Sequence, residues 1–82
     1  MQEKVTYVIK AHDNMFPGKP DLYYYGMGPS SRYAKKTAFF FGPDNKLAFI
    51  IEASTDTCAK IVAENIAKAV TTPSMQSRAV RV

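Results

Sequence analysis

Basic and aromatic side chains are concentrated in the first half of the sequence. Three consecutive tyrosines, at positions 23–25, are followed within eleven residues by Arg32, Tyr33, Lys35 and Lys36. Aromatic rings stack on nucleobases, and cationic side chains contact phosphate, so this combination is typical of a surface that binds single-stranded nucleic acid. The alternative is that the tyrosines form cross-strand pairs on an exposed sheet face and the lysines protect a sheet edge.

Lys10 lies on another predicted strand and completes the candidate site, with the tyrosines expected to stack on bases and the basic residues to contact phosphate. The predicted nucleic-acid-binding residues are Lys10, Tyr23, Tyr25, Arg32, Tyr33, Lys35 and Lys36. Lys19, Arg78 and Arg81 extend this basic surface if the last strand pairs beside the first.

Residues that could perform catalysis are sparse. His12 is the only histidine, so a histidine-pair metal site is excluded, and the only cysteine, Cys58, falls on the apolar side of a predicted helix. The seven carboxylates include no close pair suited to acid–base chemistry. The segment "GMGPSS" lacks the third glycine of a dinucleotide-binding loop and the Gly-Lys-Ser/Thr of a Walker loop. We therefore predict a non-enzymatic protein with no cofactor and no metal.

Length and composition predict one small domain, residues 1–82, with a formal net charge of +4. This charge favours association with polyanions or an acidic protein. A single cysteine forms no intramolecular disulfide, which favours a reducing, cytoplasmic setting. The sequence contains no apolar run of about 18 residues and no charged leader before an apolar core, so we predict neither a membrane span nor a signal peptide.

The first half of the chain predicts two strands. Alternation over Lys4–His12 places Val5, Tyr7, Ile9 and Ala11 on one face. The proline-rich segment 13–21 predicts a loop in which Met15 and Phe16 fold back as a hydrophobic lid. A second strand is predicted over Leu22–Met27, with Leu22 and Tyr24 on one face and Tyr23 and Tyr25 on the other.

Two further strands, Lys35–Phe41 and Lys46–Glu52, are predicted to form a hairpin across the turn "GPDN". A helix is predicted over Thr55–Val70, capped by Ser54 or Thr55 and ended before Pro73. Its predicted apolar stripe consists of Cys58, Ile61, Val62, Ile66, Ala69 and Val70.

A final strand is predicted over Ser77–Val82, with Ala79 and Arg81 on the face opposite Arg78, Val80 and Val82. The elements together predict an α+β fold, a mostly antiparallel sheet of four to five strands with one amphipathic helix packed on one face. Because one helix covers only one face of such a sheet, the other face meets water, a second copy of the chain or a partner.

The order of these segments resembles that of small accessory proteins encoded by tailed phages. The matching segments are "YVIK" (residues 7–10), "YYYG" (23–26), a basic turn, an aromatic strand, an alanine-rich helix and "VRV" (80–82). Size and basic charge are similar to those of T-even-type phage inhibitors of host toxin–antitoxin defence, which act on an RNA-cleaving toxin and associate with RNA. The resemblance implies a cytoplasmic inhibitor that binds RNA, a host protein or both.

Two partner classes therefore stand side by side. The first is RNA or another single-stranded nucleic acid, bound without sequence specificity by the helix-free face and the loop at residues 28–36. The second is protein: a host protein, or a second copy in a homodimer, docked on the exposed aromatic sheet face.

Overall fold

The computed structural model describes residues 4–29 and 37–82 and has the α+β architecture that the sequence predicts. An antiparallel five-stranded sheet is covered on one face by one α-helix. In chain order the elements are β1 (Val5–Asp13), β2 (Leu22–Pro29), β3 (Thr37–Gly42), a 3₁₀ turn (Asn45–Leu47), β4 (Ile51–Ala53), α1 (Asp56–Val70) and β5 (Met75–Arg81). Neither helix of the described residues has the length and apolarity needed to cross a bilayer.

Strand β1 lies at the centre of the sheet and uses both of its edges. Tyr7 is opposite both Arg81 of β5 and Ile51 of β4, so those two strands lie on opposite edges of β1. Lys10 is opposite both Arg78 of β5 and Tyr23 of β2, so β2 and β4 follow one another along the edge away from β5. The expected pairing of the last strand beside the first is confirmed, and β3 pairs with β2 at the far side of the sheet.

The predicted alternation in β1 is confirmed. Tyr7, Ile9 and Ala11 are buried on the helix side, where Tyr7 and Ile9 join the core cluster. Across the sheet, Ala79 lies opposite Ile9, and Arg81 lies opposite Tyr7, which confirms the predicted faces of β5. One face of each strand therefore builds the core, and the other is left for a different role.

The three consecutive tyrosines divide between the two faces, as predicted. Tyr24 is only 3% exposed and lies in the core, with its ring centroid 5.5 Å from that of Phe41 and 5.9 Å from that of Phe49. Burial raises the pKa of its hydroxyl. Tyr23 and Tyr25 are only half-buried. A register shift between Tyr24 and Gly26 bends β2, and Gly26 takes a φ of 131°, a value that favours glycine.

The helix begins after Thr55, as predicted, because the Thr55 hydroxyl accepts a hydrogen bond from the Cys58 N–H at 3.2 Å. The predicted apolar stripe is wrong for most of its members, and only Ile66 and Val70 contact the core. Ile61 and Val62 are 55% and 47% exposed, and Cys58 is also exposed rather than part of the core.

A stripe of alanines contacts the sheet instead. Its buried members recur at spacings of four, four and three residues and are Ala59, Ala63, Ala67 and Val70. Because the sheet already presents large side chains such as Tyr7, Ile9 and Ile51 to the helix, only small residues leave room for close packing.

The predicted hairpin between the third and fourth strands is also wrong. β3 pairs with β2, and β4 pairs with β1. Residues 43–50 therefore form a crossing connection from the outer side of β2 to the edge of β1. The Asp44 carboxylate caps the 3₁₀ turn by accepting from the Lys46 N–H at 2.9 Å. The Phe49 N–H then donates to the Tyr24 carbonyl at 2.8 Å, which fixes the connection beside β2 and shortens β4 to three residues.

The predicted hydrophobic lid in the first loop is wrong as well. Met15 and Phe16 are both exposed, and the loop is held by local backbone hydrogen bonds instead. The Asp13 carboxylate accepts from the Met15 N–H at 2.9 Å, and the Lys19 ammonium lies 4.8 Å from the ring centroid of Phe16. Phe16 is thus covered by a cation of its own loop rather than by the core.

The alanine stripe gives a direct test of the orientation of the helix. We expect Ala63→Leu to lower the free energy of unfolding by about 1–3 kcal/mol, because Ala63 is fully buried against the sheet and has no room for three more carbons. The same change at Ala69, which is exposed, should alter stability by less than about 0.5 kcal/mol. Urea unfolding measures both. Equal destabilisation by the two changes would contradict this helix orientation.

Candidate nucleic-acid interface

A groove crosses the helix-free face of the sheet. It has a volume of about 280 Å³ and runs over β1, beside β2 and β5. Its lining residues are Thr6, Val8, Lys10, Tyr23, Asn45, Ile50, Val80, Arg81 and Val82. Val8 and Val80 are directly opposite each other on β1 and β5, so β-branched side chains form part of its floor. The groove is open because the one α-helix packs on the other face and leaves this face uncovered.

Lys10 and Tyr23 lie together at this groove. They are directly opposite each other in the β1–β2 pair, and the Lys10 ammonium is 5.4 Å from the centroid of the Tyr23 ring. This distance is within the range of a cation–π contact, which holds a lysine over an aromatic ring. Lys10 forms no ion pair with the carboxylates of residues 4–29 and 37–82. Its positive charge is therefore available to an anion at the groove.

Asn45 adds an amide to the lining, and the 3₁₀ turn positions it. The turn is held against the sheet by Tyr25, whose hydroxyl accepts a hydrogen bond from the Asp44 N–H at 2.8 Å. The end of the Tyr25 ring occupies the space that a side chain at residue 42 would need, so a larger residue there would force the ring to move. Tyr25 thus supports the turn and lies against Gly42.

A second charged group on the same side of the sheet is neutralised within the protein. The Arg78 guanidinium donates to one oxygen of Asp21 at 2.6 Å, and His12 Nδ1 lies 3.1 Å from the other oxygen. The Arg78 and His12 hydrogen bonds hold the pKa of the Asp21 carboxyl below its usual value. This network joins β1, β5 and the start of β2. Because Asp21 neutralises Arg78, Arg78 attracts an anion at the groove less strongly than Lys10 does.

Arg81 is bound from the helix side. Its guanidinium lies 3.4 Å from the Asp56 carboxylate, which also accepts a 2.6 Å hydrogen bond from the Tyr7 hydroxyl. This hydrogen bond, together with burial, raises the pKa of Tyr7. The cluster fastens the first turn of α1 to the sheet. The Tyr7–Asp56–Arg81 cluster therefore positions the helix. Because Arg81 is paired with Asp56, it does not extend the basic surface that the sequence predicts.

The structure brings together three of the residues that the sequence predicts. Lys10 and Tyr23 form the groove pair, and Tyr25 supports the adjacent turn. Arg32, Tyr33, Lys35 and Lys36 lie outside the described residues. Residues 30–36 contain three basic and no acidic residues, and they connect β2 to β3.

Six lining residues were missed by sequence reasoning: Thr6, Val8, Asn45, Ile50, Val80 and Val82. Alternation places Val8 with Thr6 and Lys10 on the face of β1 away from the core, and an apolar residue between those two is a signal that this face also buries surface. Ile50 and Asn45 fall within the predicted hairpin. Their contribution depends on the crossing connection, for which no local pattern was recognised.

Within the described residues, no three side chains of His, Cys, Asp or Glu lie close enough together to hold a metal ion. The fold and the groove define a small α+β protein with one uncovered, mixed aromatic and apolar sheet face. Comparison with protein-family models, curated protein sequences and solved structures found no match. The groove itself is therefore the basis for a functional proposal.

The Asp21 network predicts a pH dependence of stability. Because the folded-state pKa of Asp21 lies below the unfolded value, its stabilisation is fully present above about pH 4 and is lost as the pH falls through the folded-state pKa. Asp21→Asn should cost about 1 kcal/mol at pH 7, and the difference from the unchanged protein should shrink in strong acid. Urea unfolding at several pH values measures this, with the exposed Glu64→Gln as a control. A difference independent of pH would contradict the assigned role.

Proposed function

We propose that this protein is a non-enzymatic module that binds single-stranded nucleic acid, with RNA as the favoured ligand, in the groove on its helix-free sheet face. The observation that carries the proposal is the Lys10 ammonium held 5.4 Å above the Tyr23 ring at the edge of an apolar groove. An aromatic ring and an unpaired cation side by side provide the two contacts that such ligands need, base stacking and phosphate attraction.

Each lining group has a role in this proposal. A base stacks on Tyr23 and lies over the apolar floor at Val8 and Val80, while the adjacent phosphate contacts Lys10. Asn45 offers an amide donor and acceptor to the edge of a base. The three basic residues in segment 30–36 supply further phosphate contacts. The groove contains one tyrosine, and most of the positive charge proposed to contact phosphate lies in segment 30–36. We therefore expect the affinity for nucleic acid to fall steeply with salt concentration and to vary little with base identity.

Two substitutions separate the stacking contact from the charge contact. Tyr23→Ala should weaken binding of a labelled single-stranded RNA by about five- to 150-fold, the effect of losing one stacked base, whereas Tyr23→Phe should keep it. Lys10→Ala should lower the slope of log affinity against log salt by about 0.7, the value for one phosphate contact on a single strand. Filter binding across a salt series measures both effects.

The matched control is Lys60→Ala, which removes an exposed lysine from the outer side of α1 and should leave the affinity at the groove nearly unchanged. Circular dichroism establishes that each variant is folded. The proposal fails if the unchanged protein has no affinity for RNA or DNA at low salt. It also fails if Lys60→Ala weakens binding as much as Lys10→Ala, because the contact would then be non-specific attraction to net charge.

A second candidate function is docking of a protein on the same face. Ile50 and Val82 line the groove and are 54% and 77% exposed, and exposed apolar residues of this kind are common at protein interfaces. Lys10→Glu separates the two candidates, because it reverses the charge near the phosphate while leaving the apolar lining in place. A protein ligand that docks on this lining should tolerate the change, and a nucleic acid should not.

The resemblance to phage inhibitors of toxin–antitoxin defence adds a biological setting to the proposal: inhibition of an RNA-cleaving host toxin. A pull-down from bacterial lysate, with and without nuclease, tests this setting. Recovery of RNA together with a toxin that is lost after nuclease treatment would support RNA-mediated inhibition. Recovery of the toxin regardless of nuclease would support direct protein binding instead.

A further inference from the structure

Strand β3 forms one margin of the sheet. Among residues 4–29 and 37–82 it pairs with β2 alone, so its outer edge presents the backbone N–H and C=O groups of alternate residues without a strand partner there. Such an edge is a template for another extended chain, because those groups make their best hydrogen bonds with a strand.

The sequence of β3 lacks the usual protections of a strand edge. Residues 37–42, "TAFFFG", contain no charged residue and no proline. The register shift of the β2–β3 pair falls in β2, between Tyr24 and Gly26, so no extra residue distorts β3 itself. Phe39 and Phe40, on opposite faces of the strand, are 38% and 47% exposed. The edge is therefore uncharged and aromatic on both sides, which favours pairing.

Strand β5, another margin of the sheet, differs from β3 in its charge. It carries Arg78 and Arg81. A second β5 laid against it would bring arginines near arginines, and like charges across neighbouring strands oppose pairing. Strand β4 also pairs with β1 alone, but it has only three residues and carries Glu52. Of the three edge strands, β3 is the one whose own copy meets no charge repulsion within the strand.

We propose that two copies of the chain pair through β3 in antiparallel fashion about a two-fold axis perpendicular to the sheet. Such an axis keeps the helix-covered faces of both copies on the same side, so only residues of equal parity lie opposite one another. Phe39 then lies opposite Phe39 or Phe41 of the second copy. These aromatic cross-strand pairs cover the exposed phenyl rings, and the two five-stranded sheets become one continuous sheet.

The surface beside β3 on the helix side also suits a second copy. Helix α1 packs mainly on β1, β4 and β5. Phe39 is exposed on this side and lies opposite Met27, which is also exposed. A second copy paired along β3 brings its own Phe39 or Phe41 beside this ring, whereas a polar peptide would leave it in water.

Light scattering on the purified protein, measured over a concentration series, tests the proposal. The unchanged protein should reach twice the mass of one chain as concentration rises. Phe40→Lys places a charge on the pairing edge and should weaken the dimer by about tenfold or more, whereas Phe40→Leu should retain it. Gln76→Lys places the same charge on β5 and should have no effect. A single-chain mass at every concentration, or equal weakening by Phe40→Lys and Gln76→Lys, would overturn the proposal.

Hydrogen exchange on the unchanged protein provides a second measurement that does not depend on a variant folding. Amides in residues 37–42 should become more protected as concentration rises, while those in β5 should not change. Protection that appears in β5 or along the groove would place the contact elsewhere and overturn pairing through β3. Neither measurement uses nucleic acid, so the outcome is independent of the function proposed for the groove.

Discussion

The backbone hydrogen bonds of β1 hold the sheet together. β5 pairs with one edge of β1, β2 and β4 share the other edge, and β3 is attached through β2. The register of β1 also decides what each face contains, because its odd-numbered residues enter the core and its even-numbered residues include Val8 and Lys10 of the groove. A slip by one residue would exchange the two sets. Core and candidate site are thus fixed by the same pairing.

The alanine stripe of α1 determines how much of the sheet the helix covers. Ala59, Ala63 and Ala67 allow the helix to approach β1 closely, and the Thr55 cap and the Tyr7–Asp56 hydrogen bond fix where it begins. The helix consequently lies over β1, β4 and β5. The β2–β3 half joins the same core through Tyr24, which contacts three phenylalanine rings, and this half keeps more aromatic surface exposed.

Sequence patterns predicted the parts of this fold that depend on local periodicity and chain order. The alternation of β1, the division of the tyrosines between faces, and the helix with its Thr55 cap are of this kind. The helix stripe was misplaced because Ile61 and Val62 outrank alanine in hydrophobicity, while the close approach of helix and sheet selects small side chains. The prediction of a hairpin was wrong because "GPDN" has the residues of a turn but is not followed by a strand that pairs with β3. The segment after it runs beside β2 and then pairs with β1 as β4, and a local pattern does not reveal such tertiary pairing.

The candidate site was likewise predicted where it depends on local patterns and missed where it depends on tertiary pairing. Lys10 and Tyr23 were predicted because each lies on the outward face of its strand, and their contact required only that β1 and β2 be neighbours. Val8, Ile50 and Asn45 were missed because they become part of one groove only through the crossing of residues 43–50.

Charge placement explains why this groove and the segment at residues 30–36 suit a polyanion in different ways. Within the described residues, Lys4, Arg78 and Arg81 each lie beside a carboxylate, which reduces their long-range attraction. Lys10 does not, and segment 30–36 contains basic residues with no acidic neighbour in that segment. If the proposed ligand binds, the segment therefore supplies most of the salt-sensitive attraction. The groove, with its aromatic ring, amide and apolar floor, supplies the contacts that depend on shape.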